Sequence, residues 1–137
     1  MLTDLTYELF RFYNGFASWE GSVIKASDLS VSETHAIEIL GEYGQMNMRQ
    51  LAEKLGVTTG TITVTVDRLE KKEYARRQST LEDRRVYIIS LTDKGKQVFE
   101  EHHQYHLSLT EQILSVLTEE ESNHLLSIAK KLNNEVF

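Results

Sequence analysis

The sequence contains no cysteine and no proline, and only seven glycines and one tryptophan among its 137 residues. The lack of cysteine excludes disulfides, thiolate metal ligands and thiol-based redox sensing. The lack of proline means that no helix is broken by a missing amide donor, so long continuous helices are expected. No apolar run approaches the roughly 20 residues that a helix needs to cross a bilayer. The first twenty residues also lack the basic-then-apolar order of a secretory signal. The expectation is a cytoplasmic protein with no membrane partner. Three signatures of catalysis are missing as well: a glycine-rich phosphate loop, a nucleophile elbow and paired catalytic carboxylates. No serine or cysteine nucleophile pattern accompanies the histidines, so no enzyme is expected.

Hydrophobic residues make up 40% and charged residues 26% of the chain, the balance of a folded globular protein. The length suits one compact domain, or a small domain with helical extensions. Net charge is −6, which by itself disfavours a nucleic-acid partner, but the charge is unevenly spread. Residues 46–90 carry nine Lys/Arg against six Asp/Glu, a net of +3, and the remainder of the chain is at −9. A basic middle between acidic ends suits a DNA-binding module mounted on a scaffold that does not touch DNA.

Hydrophobic periodicity predicts a helix over residues 3–26, with Phe12, Phe16 and Trp19 on one face. Ser30 followed by Glu33 is a capping-box pattern that opens a second helix over 32–43, with Gly44 at its end. Asn47 and Gln50 open a short helix through Leu55. Gly56 and Val57 make a turn, and Thr58 or Thr59 caps a helix that runs to about residue 72. The period then changes. Residues 74–79 and 86–91 are rich in β-branched and aromatic side chains, and the polar turn between them makes the pair a β-hairpin. Thr92 caps a long helix through about residue 117, and Thr118 with Glu121 opens the last. The fold class is mainly α with a small β-wing: residues 31–92 as a winged helix-turn-helix, flanked by dimerisation helices at 1–30 and 93–137.

Residues 48–69 carry most of the functional signal. Leu51, Ala52 and Leu55 form the apolar side of the first helix, and Val57, Ile62, Val66 and Leu69 that of the second. The opposite face of the second helix is assigned Thr58, Thr59, Thr61, Thr63, Thr65 and Arg68. Threonine restricts helix rotamers, so a threonine-rich exposed face is better explained by hydroxyls meeting phosphates and methyls meeting thymine methyls than by solvation alone. In the hairpin turn stand Asp83, Arg84 and Arg85. An arginine at such a tip can enter a minor groove, with Asp83 steering one guanidinium through a bidentate pair and leaving the other free.

The helix-turn-helix, the Asp83-Arg84-Arg85 wing and the following Leu91-Thr92-Asp93-Lys94-Gly95 run resemble the MarR family of regulators. The resemblance covers nearly the whole chain. It implies a homodimer, joined by the first and last two helices, on a palindromic double-stranded operator. The 58–69 helix would read the major groove and Arg84 or Arg85 the minor groove, in a regulator that is a repressor. One departure is Glu73, where the family usually has glycine. The rival class is a winged helix that binds only protein.

Two effector readings stay open. His102 and His106 are four apart and share a helical face; with His35 and Glu20 they form a candidate zinc set, since zinc accepts imidazole and carboxylate ligands. Glu100, Glu101, His102, His103 and His106 are similar to a zinc-responsive subgroup of the family, whereas residues 32–41 are similar to its fatty-acid-synthesis repressors. The alternative is an acyl or aromatic ligand at Phe12, Phe16 and Trp19. The plainer readings are histidines hydrogen-bonded at a helix junction and aromatics in a dimer core.

Overall fold

Five of the six helices begin where the sequence supplies a side-chain acceptor for free backbone amides. The computed structural model describes residues 1–137 and contains six helices and three strands: α1 (Leu2–Lys25), α2 (Val31–Tyr43), β1 (Met46–Asn47), α3 (Met48–Leu55), α4 (Thr59–Lys71), β2 (Ala75–Ser79), β3 (Tyr87–Leu91), α5 (Asp93–Ser115) and α6 (Glu119–Glu135). The expected capping boxes form at Ser30/Glu33, Asn47/Gln50 and Thr118/Glu121, each with both reciprocal hydrogen bonds. Thr58 rather than Thr59 caps α4, accepting from the Thr61 amide. Thr92 accepts from the Gly95 amide at the start of α5. The chain divides into two compact units, Met1–Glu100 and Glu101–Phe137, and α5 runs through the division.

In the first unit the core gathers Ile37 and Leu40 of α2, Leu51 and Ala52 of α3, Ile62, Val66 and Leu69 of α4, and Ile89 and Leu91 of β3. Truncating a fully buried leucine such as Leu51 or Leu69 to alanine costs about 2–5 kcal/mol by lost burial and the cavity left behind. The antiparallel sheet has the order β1-β3-β2, with Ala75 opposite Leu91 and Ser79 opposite Tyr87. The hairpin is the predicted one. Strand β1 is not: Met46 and Asn47 pair with Ile89 and Ile88, although Asn47 also serves as the cap of α3. Two residues are too few to show a period of two.

Between α3 and α4, Gly56 takes the left-handed conformation at φ 66° that a glycine enters without penalty. Glu73 does the same after α4 at φ 67°, without that freedom. The departure from the family pattern at this position therefore leaves the helix end where a glycine would put it. Glu73 N bonds Glu70 O at 3.0 Å and Tyr74 N bonds Leu69 O at 2.9 Å, so these two carbonyls of the last turn are satisfied.

Charged side chains brace the same region. Glu33, nearly fully buried on α2, accepts from Lys72 Nζ at 2.7 Å. Lys72 Nζ also donates to the Asp28 carbonyl. The Tyr74 hydroxyl donates to Asp28 Oδ1 at 2.7 Å, and this bond, ahead of the positive charge of Lys72, holds the Asp28 carboxyl below its usual range.

The second unit holds the rest of α5 and all of α6. No residue of α6 is buried, and Leu125, Leu126, Ile128 and Leu132 are exposed. At the other end of the chain, α1 exposes Leu2, Leu5, Leu9, Phe10, Phe12 and Tyr13.

Candidate nucleic-acid interface

α4 is positioned by its apolar stripe. Ile62, Val66 and Leu69 are each no more than 1% exposed, and this fixes which residues face outward. Thr58, Thr59, Thr61 and Arg68 are exposed, and Thr63 is half-buried. Thr63 Oγ1 returns to the Thr59 carbonyl at 2.7 Å. Thr65 departs from the expected face. It is 6% exposed and donates to the Thr61 carbonyl at 3.2 Å, so it belongs to the core. The reason is geometric: Thr61, Thr63 and Thr65 are two apart, a step of about 200° on a helix, and they cannot share one side. Three residues after Ile62, position 65 falls in the buried stripe. The place vacated on the outer face goes to Val64, which is half-exposed. Val57, expected in the packing face, is also partly exposed.

The hairpin tip is held by its own hydrogen bonds. Thr80 N bonds Val86 O at 3.0 Å, and Thr80 Oγ1 donates to Asp83 O and accepts from Asp83 N. Asp83 Oδ1 receives both the Arg85 amide at 3.0 Å and Arg85 Nε at 3.3 Å. The expected division of labour is present, but the pair runs through one carboxylate oxygen and is not bidentate. Arg84 is exposed and forms no ion pair.

Some of the other cations counted in the basic middle are committed elsewhere. Arg77 pairs with Asp67 and with Glu70, and lies 5.8 Å from the centre of the Tyr87 ring. Lys72 is bound to Glu33, as described. Arg68, Arg76 and Lys71 join Arg84 as exposed cations of this unit that form no ion pair.

With this geometry in hand, the chain can be set beside known proteins. Residues 29–87, the span from the α2 cap to the wing, match the sequence profile described as the MarR family. The chain belongs to the MarR family. This MarR-family chain is 28% identical over 135 residues to the HTH-type transcriptional regulator MhqR of Bacillus subtilis (strain 168), covering 96% of the chain and 93% of that protein. It is 37% identical over 93 residues to the HTH-type transcriptional repressor MdtR of the same organism, covering 68% of the chain and 60% of the relative. Its fold is similar to that of Streptococcus pneumoniae FabT, solved in complex with DNA, with a TM-score of 0.85 and 29% identity over 98% of this chain and 94% of that one. Its architecture is the winged helix of this MarR group, mainly helical with a three-stranded wing sheet.

Of the five histidines of this MarR-family chain, three are placed by contacts within their own unit. In the first unit, His35 Nε2 lies 3.0 Å from Glu20 Oε1. In the second, His102 and His106 place their Nε2 atoms 3.0 Å apart, with ring centres at 4.7 Å and an edge-on orientation, and His102 is buried. Phe16 and Trp19 touch in a tilted arrangement at 5.6 Å, while Phe12 is largely exposed. No helix is long and apolar enough to cross a membrane.

Proposed function

We propose that the protein is a sequence-specific DNA-binding transcription regulator, a repressor, acting as a homodimer on an inverted repeat. The observation that carries this reading is the pairing of Arg84, exposed and without an ion-pair partner at a hydrogen-bonded wing tip, with the outward face of α4 formed by Thr58, Thr59, Thr61 and Arg68. Hydroxyls and one arginine on a helix suit a major groove, and an extended arginine at a hairpin tip suits a minor groove. The DNA complex of the pneumococcal relative supports the reading. The exposed apolar faces of α1 and α6 exceed what a monomer leaves open to water, and a second copy is their assigned cover. Light scattering is expected to return twice the 15.8 kDa of one chain. Two such lobes related by a two-fold axis prefer half-sites about one helical turn, roughly 10 bp, apart. Selection from random duplex and a salt titration test the DNA reading. Recovery of no inverted repeat, or binding insensitive to salt, would favour a winged helix that contacts only protein.

DNA binding is proposed to respond to an effector. In the metal reading, zinc takes the imidazoles of His102 and His106, with His35 and Glu20 as the candidate ligands named from the sequence. At zinc–nitrogen bonds of about 2.0–2.1 Å, two vertices of a tetrahedron lie about 3.3 Å apart, close to the 3.0 Å between the two Nε2 atoms. The imidazole pair therefore fits the ion. In the ligand reading, an acyl or aromatic molecule is bound, with Phe12, Phe16 and Trp19 as its candidate residues. A cleft of about 640 Å³ in the first unit, lined by Leu40, Arg76, Ser90, Lys96 and Phe99 among others, offers this reading a second location. Anisotropy with chelator followed by graded zinc, on the wild type and on His102→Ala/His106→Ala, separates the two. A zinc response that the double variant abolishes selects the metal. An unresponsive wild type removes the metal reading and leaves an acyl or aromatic ligand, or no effector at all.

A further inference from the structure

Of the seven glycines, four are explained inside the chain. Gly44 and Gly56 have positive φ; Gly41 leaves the space that the Phe99 ring fills, and a Cβ on Gly95 would sit 2.0 Å from the Tyr74 carbonyl oxygen. Gly60 has no such reason. It lies in the first turn of α4 with ordinary helical backbone and is exposed; its nearest contact for a Cβ would be Thr58 Oγ1 at 3.9 Å. Alanine fits there without moving an atom. Alanine would also suit the helix better, because glycine gives up more conformational freedom on folding. The remaining two, Gly15 and Gly21, also have open space around them, and both lie on α1, a helix assigned to the second copy. The glycines that packing within the chain leaves unexplained all stand on surfaces assigned to partners.

We propose that Gly60 is the point at which α4 comes closest to DNA, kept bare so that a groove wall can approach nearer than a Cβ would allow. This rests on the DNA-binding reading and adds to it a residue that contributes by what it lacks. Thr59 and Thr61 flank the position, and Thr61, Val64 and Arg68 continue along the exposed side. A glycine among hydroxyls and methyls gives a surface of low relief, which can follow the edge of a major groove where a longer side chain would hold it off. Position 60 sets the depth at which the neighbouring threonines and Arg68 reach the bases.

The test compares wild type, Gly60→Ala and Gly60→Val, each by thermal melting and by anisotropy on the duplex of about 20 bp that the wild type enriches from a random pool. Gly60→Ala is expected to melt at the same or a higher temperature yet bind about tenfold more weakly, with Gly60→Val weaker still. The salt slope stays unchanged, because no phosphate-neutralising cation is lost. Equal affinity across the three proteins would overturn the inference alone and leave the DNA-binding reading standing. A lowered melting temperature in Gly60→Ala would overturn it too, by giving the glycine a role in the fold. Failure of the wild type to enrich any duplex would remove the DNA-binding reading and this inference together.

Discussion

The wing carries the same dipeptide twice, in different circumstances. Arg76 and Arg77 stand at the root of the hairpin, and Arg84 and Arg85 at its tip. At the root, the Arg77 guanidinium is held by Asp67 and Glu70 of α4 and leaves only 22% of its side chain exposed. At the tip, Arg85 is 92% exposed even while it touches Asp83, and Arg84 touches no acid at all. One arginine fastens the wing to α4; the other three, Arg76, Arg84 and Arg85, face solvent. Composition counts them alike, and only the acids around each tell them apart.

Breaking the tip should give the largest effect. Arg84→Ala/Arg85→Ala is expected to lower DNA affinity by roughly 10- to 100-fold and to flatten its salt dependence, measured by anisotropy from low to moderate salt. Its stability should move by no more than about 0.5 kcal/mol, because neither side chain is packed. Unchanged affinity and slope would remove the wing from the interface.

Breaking the root should invert that pattern. Arg77→Ala is expected to cost about 1 kcal/mol in urea unfolding. The figure is kept small because Asp67 and Glu70 are 55% and 41% exposed, and solvent screens their attraction. Its salt slope on DNA should remain that of the wild type. A flattened slope with undiminished stability would mean that Arg77 leaves its acids and meets DNA.

The joint between α4 and the wing sharpens the comparison from the opposite direction. Glu73→Gly is expected to stabilise the fold by about 0.5–1 kcal/mol, since glycine reaches the left-handed conformation without a Cβ clash. A melting temperature below that of the wild type would show that the Glu73 side chain contributes more than its backbone strain costs.

The smallest effect concerns acid. The Asp28 carboxyl is held below its usual range chiefly by the Tyr74 hydroxyl. A depressed folded pKa gives stability that is present above the unfolded value of about 3.9 and is lost as pH falls through the folded value. The stability difference between wild type and Tyr74→Phe should therefore shrink as pH drops from about 5 to about 3. A difference constant with pH would assign the tyrosine's contribution to packing alone.

Most of the fold was legible because its boundaries are written in local chemistry. Ser30/Glu33, Asn47/Gln50 and Thr118/Glu121 are reciprocal caps that need only three residues' separation to be recognised. The hairpin was legible from the change of period. Strand β1 was not, since its existence depends on Ile88 and Ile89, some forty residues away. On α4 the spacing of Ile62, Val66 and Leu69 marks the buried stripe, whereas Thr65 shares its residue type with exposed neighbours but, by helical phase, lies in that stripe. The roles of Arg77 and Lys72 were hidden because their partners, Asp67, Glu70 and Glu33, are brought to them by folding rather than by sequence pattern.

The seam at the base of the wing carries one more consequence. Thr92 Oγ1 donates to the Glu73 carbonyl at 2.6 Å, Thr92 N to the Tyr74 carbonyl at 3.1 Å, and Lys94 Nζ to the Lys72 carbonyl at 2.9 Å. The chain thus leaves α4 and returns to α5 through one fastened point, and everything between is a loop already closed at its neck. Leu81, fully exposed at the far end, is where a protease finds this loop most easily. A cut there would sever the polymer without opening the neck, leaving two fragments that stay paired along β2 and β3 and separate only when the whole unit unfolds.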